Sequence, residues 1–158
     1  MIVYYAIICS EVVMQVQDIV NVMGGRAMFG RAVATPLDLQ RSLGEGVNVG
    51  ALNRVVGHVY ADPKARRALM NRVVPEGTLK RRQREGRLTP AESERTARLA
   101  NIITHAEYVW RNEDDARQWL TTPHPELGDR FPIDVAVDEF GARHVEDILD
   151  AILHGLPA

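Results

Sequence analysis

Helix punctuation constrains this chain more than any other feature. Thr35-Pro36 and Asp62-Pro63 each set a capping side chain before a proline at the first helical position. Thr89-Pro90-Ala91-Glu92 adds a capping box, in which Glu92 reaches back to the Thr89 backbone. Asn112 precedes Glu113-Asp114-Asp115, an acidic first turn that complements the helix dipole, and Pro132 opens another short run. Stops are as regular: Gly24-Gly25, Gly44-Glu45-Gly46, Gly86, Gly141 and Gly155. The one stretch that reads as a strand or a stray extension is 1–13, with Val3, Tyr4, Tyr5 and Ile7. Starts and stops together predict an all-α chain.

Two helices have clear periodicity. Over 90–111, Leu99, Ile103, Ala106 and Trp110 recur at steps of four, three and four, with Ile102 and Val109 widening the stripe. Over 142–154, Val145, Ile148, Leu149, Ile152 and Leu153 form one face, and Glu146, Asp147 and Asp150 the other. Shorter helices are expected near 15–23, 36–43, 48–60, 63–72, 75–85, 113–121 and 133–140. A length of 158 residues with 46% hydrophobic and 25% charged residues suits one compact core rather than a disordered chain. A single cysteine, Cys9, permits no internal disulfide and no cysteine zinc cage. The early apolar run Met1–Cys9 is too short to span a bilayer and lacks the basic start and cleavage site of a secretory signal. A cytoplasmic protein with no membrane partner is expected.

The net charge of −2 hides an asymmetry. Residues 64–98 hold eleven cations and four acids, whereas residues 99–158 hold four cations and twelve acids. A basic middle beside an acidic C-terminal third points to two surfaces with different partners, the alternative being helix faces that merely solvate. Within the basic middle, Leu79 to Arg87 carries Lys80, Arg81, Arg82, Arg84 and Arg87, with Gln83 among them. On a helix, Lys80, Arg84 and Arg87 align. A shorter helix, Lys64 to Arg72, precedes them across Val73-Val74-Pro75. Two short helices on a tight connection, the second rich in Arg and Gln, form a helix-turn-helix pattern. Arginine forks onto guanine edges, glutamine onto adenine, and both cations neutralise phosphates.

Catalytic patterns are missing. The spacing of Gly44, Gly46 and Gly50 is wrong for a dinucleotide fingerprint. His58, His105, His124, His144 and His154 have no partner at metal-ligand spacing, and His105 and Glu107 point apart on one helix. Ser93 sits inside a helical first turn, a poor place for an activated nucleophile. No catalytic residue, metal or cofactor is expected, and an enzyme is the weakest reading.

Several stretches carry a family resemblance. They are Val74-Pro75-Glu76-Gly77-Thr78-Leu79-Lys80-Arg81-Arg82, Gly86-Arg87-Leu88-Thr89-Pro90-Ala91-Glu92-Ser93, Ala116-Arg117-Gln118-Trp119-Leu120, Pro123-His124-Pro125-Glu126-Leu127-Gly128, Phe131-Pro132-Ile133-Asp134 and Gly141-Ala142-Arg143-His144-Val145-Glu146-Asp147-Ile148-Leu149. Over residues 14–155 the chain resembles the Xre-type antitoxins of the Xre/MbcA/ParS group. The departures are Gly128-Asp129-Arg130, where the family often has a second glycine, and the start 1–13. The resemblance implies an N-terminal helix-turn-helix (Xre/Cro-like) part followed by a small helical toxin-binding domain. With it the chain divides into an N-terminal extension (1–13), a DNA-binding and dimerisation domain (14–87) and a toxin-binding domain (88–158).

The resemblance also implies an antitoxin that covers the active-site cleft of a RES-domain, NAD-using toxin and represses its own operon as a homodimer. A stand-alone DNA-binding regulator is the alternative. DNA contacts fall on Lys80, Arg81, Arg82, Gln83, Arg84 and Arg87. Toxin contacts fall on Arg143, His144, Asp147 and the tail His154, Gly155, Leu156, Pro157 and Ala158, which can project as a plug behind the Gly155 break. Trp119 stands between two readings, core and toxin surface. Trp110, Phe131 and Phe140 are read as core.

Overall fold

A computed structural model describes residues 15–155. Its helices are α1 (15–22), α2 (Arg26–Phe29), α3 (Pro36–Glu45), α4 (Gly50–Val59), α5 (Pro63–Val73), α6 (Glu76–Glu85), α7 (Pro90–Trp110), α8 (Glu113–Leu120), α9 (Pro132–Val135) and α10 (Glu139–Leu153). A 3₁₀ turn, Pro125–Leu127, separates α8 from α9. Among the described residues there is no strand ladder, only the isolated bridges Asn48–Arg87 and His124–Arg130. The all-α expectation holds. Residues 1–13 lie outside the described residues.

The caps follow the punctuation. Thr35 accepts from the Asp38 amide at 3.1 Å while Asp38 accepts from the Thr35 amide at 3.1 Å, so α3 also starts with a capping box, one with aspartate in place of the usual glutamate. Thr89 and Glu92 form the expected box on α7. Asp62, Asn112 and Asp138 cap α5, α8 and α10.

Three boundaries differ from the sequence reading. Gly44 lies inside α3, which ends at Gly46. The expected helix at 133–140 is instead the single turn α9 followed by the start of α10. Gly141 is therefore no stop but part of the first turn of α10, hydrogen-bonded to Asp138 at 2.7 Å. A Cβ there would stand 2.1 Å from the Val135 carbonyl oxygen, so glycine lets α10 cross the end of α9.

The 21-residue α7 is the axis of the core. It packs against α3, α4 and α5 on one side of the chain and against α8 and α10 on the other. Leu99, Ile102, Ile103 and Ala106 are buried along it, as the stripe predicted. They join Leu52, Val55, Val56, Leu69 and Val73 from one half to Leu120, Ile133, Val145 and Leu149 from the other in a single apolar cluster. The stripe fails at its end: Trp110 is 37% exposed, because Arg111 in the left-handed region terminates the helix there. Phe140 is 85% exposed and Phe131 38%, so neither is core. On α10, Val145, Ile148 and Leu149 are buried, while Ile152 and Leu153 are half-buried as the helix runs off the domain.

Candidate nucleic-acid interface and the acidic C-terminal face

The helix pair α5–α6 turns on Val74-Pro75. Val73 and Val74 are buried and pin the turn, and Pro75 fixes the chain direction into α6 without donating a hydrogen bond. No residue of α6 is fully buried; it rests on the core through half-buried Leu79. Its other face is outward.

That face sorts the six predicted DNA contacts. Lys80, Gln83 and Arg84 are exposed, with no side-chain hydrogen bond or ion pair among the described residues. Arg81 is exposed and only loosely paired with Glu85, at 3.8 Å. Arg82 turns inward. Its side chain is 12% exposed and donates to Glu92 at 2.7 Å and to Glu85 at 2.7 Å. Burial pushes the Glu92 carboxyl up, but hydrogen bonds from Thr89 and Arg82 outweigh it and hold the group below the usual carboxylate range. Arg82 thus fastens α6 to the start of α7. Arg87 does not share the face of Lys80 and Arg84. Gly86, in the left-handed region at φ 74°, ends the helix before it. Arg87 then donates to the Gly46 carbonyl at 2.8 Å.

Behind α6 the chain is stitched to the α3–α4 connection. Leu88 N–H donates to the Val47 carbonyl at 2.9 Å and Val49 N–H to the Gly86 carbonyl at 3.1 Å. Val47 N–H is received by the buried hydroxyl of Ser93 at 3.1 Å. Ser93 therefore closes an orphan amide, which explains a serine at that helical position. Gly46 is required: its φ is +82° and a Cβ would meet the Leu88 carbonyl oxygen at 2.3 Å. A basic helix is thereby held at both ends with a free polar face outward.

On the C-terminal side, the exposed edge of α10 presents Phe140, Arg143, His144 and Asp147, with Arg143 paired to Glu139 at 2.7 Å. His154 and Gly155 are exposed just past the end of α10, and Gly155 turns at φ 66°. Leu156, Pro157 and Ala158 lie outside the described residues. Trp119 is half-buried against the core and meets His124 edge-on, with ring centroids 6.0 Å apart, so it braces the loop after α8. In that loop Asp129 adopts φ 57°, a conformation aspartate tolerates, and so fills the place of a second glycine.

Two histidine–carboxylate pairs escaped the sequence reading because each joins different elements. His58 Nε2 meets Glu107 at 2.5 Å, linking α4 to α7, and Arg117 donates to the His58 carbonyl at 2.9 Å. The Glu107 carboxylate holds the imidazole above its ordinary pKa, against partial burial. His105 meets Asp150 at 3.0 Å, linking α7 to α10. No group of three or more potential metal ligands converges among the described residues. No helix of the described residues is long and apolar enough to cross a membrane.

A helix-turn-helix followed by a second helical part on the same core gives the architecture of a two-part helix-turn-helix regulator. Residues 38–101 match the family model described as the antitoxin Xre-like helix-turn-helix domain. Residues 105–155 match the antitoxin Xre/MbcA/ParS C-terminal toxin-binding domain. The chain is 31% identical over 117 residues to "Antitoxin Xre" of Yersinia enterocolitica, covering 73% of this chain and 78% of that protein. It is 33% identical over 86 residues to "Antitoxin Xre" of Pseudomonas putida, covering 54% of each. A Photorhabdus laumondii protein of the same name is 33% identical over 73 residues, covering 46% of this chain and 49% of that one. The chain belongs to the Xre antitoxin family.

Proposed function

We propose that this chain neutralises a RES-domain, NAD-using toxin and represses its own operon as a homodimer in the cytoplasm, acting by occlusion and not by catalysis. The observation that carries the DNA half is the outward face of α6, where Lys80, Gln83 and Arg84 have no partner among the described residues and the helix is fixed behind them. Lys80, Arg81 and Arg84 neutralise phosphates there and Gln83 meets a base edge. Arg82 and Arg87 hold the helix in place and do not touch DNA. The toxin half is assigned to the α10 edge, Arg143, His144 and Asp147, with the tail from His154 to Ala158. The acidic balance of residues 99–158 suits a cleft built to receive phosphate groups.

The test is co-expression with the neighbouring gene. Rescue of growth by this chain, together with a gel shift of its own promoter, is the expected result. A promoter shift with no toxic neighbour would favour the second reading, a stand-alone regulator. Consumption of NAD by the purified chain would overturn both.

A further inference from the structure

A cleft of about 370 Å³ opens between α1, α4 and α5, with His58 in its wall. Its lining brings together Arg54, Arg66 and His58 with the amides of Asn21 and Asn53, and no carboxylate lies among its described lining residues. Arg54 makes no hydrogen bond or ion pair among the described residues, and neither amide side chain is engaged.

Arg66 is positioned rather than loose. Its Nε donates to the Tyr60 carbonyl at 2.5 Å, and its guanidinium lies over Gly57. A Cβ at Gly57 would sit 3.5 Å from the guanidinium carbon and 3.6 Å from both terminal nitrogens. Gly57 lies inside α4 with ordinary helical backbone, where glycine is unfavourable and the fold does not demand it. The guanidinium carbon and both terminal nitrogens are nearly equidistant from a Cβ at Gly57, so the group lies over the helix at ordinary van der Waals distance, and its terminal nitrogens have no partner among the described residues. Glu107 meanwhile keeps His58 charged over a wider pH range.

We propose that this cleft binds a small-molecule phosphate ester, with Arg54 and the terminal nitrogens of Arg66 forking onto the phosphate and Asn21 and Asn53 hydrogen-bonding its polar body. The volume falls within the ~300–1,000 Å³ of small-molecule sites, which is more room than a bare phosphate needs. Planar guanidinium pairs are the side chains best matched to such an anion.

The test uses the full chain and adenosine monophosphate as probe, by calorimetric titration at low ionic strength. Saturable binding is expected, displaced by inorganic phosphate and weakened as salt rises. Arg54→Gln should weaken it at least tenfold without changing the melting temperature, because the Arg54 side chain is exposed and has no partner among the described residues. Arg66→Lys, which keeps charge but loses the fork, should weaken it similarly; should that variant not fold, Arg54→Gln decides alone. Absence of saturable binding at millimolar probe overturns the proposal, as does undiminished binding by Arg54→Gln. Dependence on Arg54 for duplex DNA alone, with no binding of the monophosphate, also overturns it and makes the cleft a backbone contact.

Discussion

Gly44→Ala and Gly46→Ala, two residues apart, should have opposite effects. Gly44 lies inside α3 with ordinary backbone, and nothing stands within 4 Å of a Cβ built there. Alanine should therefore stabilise the protein by about 0.4–1 kcal/mol, by restricting the unfolded chain and improving helix propensity. Gly46 has φ +82° and ψ 137°, outside the wells open to alanine, and its Cβ would lie 2.3 Å from the Leu88 carbonyl oxygen. Backbone strain of this kind costs roughly 1–3 kcal/mol. The obstruction is backbone, so Leu88 must move. That movement threatens the Leu88–Val47 and Arg87–Gly46 hydrogen bonds, each contributing about 0.5–1.5 kcal/mol. The sum is a loss of about 2–6 kcal/mol, or a fall of about 4–24 °C in melting temperature for a chain of this length. Differential scanning calorimetry on both variants measures it. A gel shift on the folded remainder should show weakened promoter binding by Gly46→Ala alone, since the displaced segment sets the end of α6. Equal melting temperatures for the two variants would refute the reasoning.

Three further outcomes are expected. Lys80→Ala, Gln83→Ala and Arg84→Ala combined should abolish the promoter shift and leave the fold intact, with each lost phosphate contact lowering the log–log salt slope by about 0.9; an unchanged shift would remove α6 from the interface. Leu99→Ala and Ile103→Ala should each cost about 2–5 kcal/mol in urea unfolding, and an unchanged midpoint would put the α7 stripe outside the core. Glu107 raises the His58 pKa, so the pair's contribution is complete below about 6.5 and is lost as pH rises through the higher folded-state value. His58→Gln should flatten the stability profile across that window, and a profile as steep as wild type would show that the pair contributes nothing.

What the sequence made legible was whatever is local. Capping residues act within three positions, so Thr89, Asp62 and Asn112 marked helix starts that the structure reproduces. The Leu99–Ile103 stripe is one helix seen edge-on and reads the same way. Glycines were harder, because a glycine that ends a helix and one that admits a neighbouring backbone look alike in one dimension. Gly86 is the first kind and Gly141 the second. The basic run read correctly as a helix, yet counting cations could not tell which of them point outward. Arg82 differs from Arg81 and Arg84 only through Glu92, ten residues away on another helix. The His58–Glu107 pair spans 49 residues and left no local trace.

Both proposed interfaces hang from one rigid element. After Pro90, α7 contains no proline or glycine, the usual sites of a kink. Its N-terminal turn holds α6 through Glu92 and Arg82, and its last turn is tied to α4 through Glu107 and His58. The same helix reaches the C-terminal half through Arg98, which donates to the Val137 carbonyl at 3.0 Å, and through Asn101, which donates to Glu146 at 2.8 Å. A continuous core underlies all of these ties. A hinge between the two halves would have to break the α7 stripe, which costs several kcal/mol per large residue exposed. The continuous core thus opposes closure of one half on the other and favours communication through where the unit places each partner, by steric fit and stoichiometry.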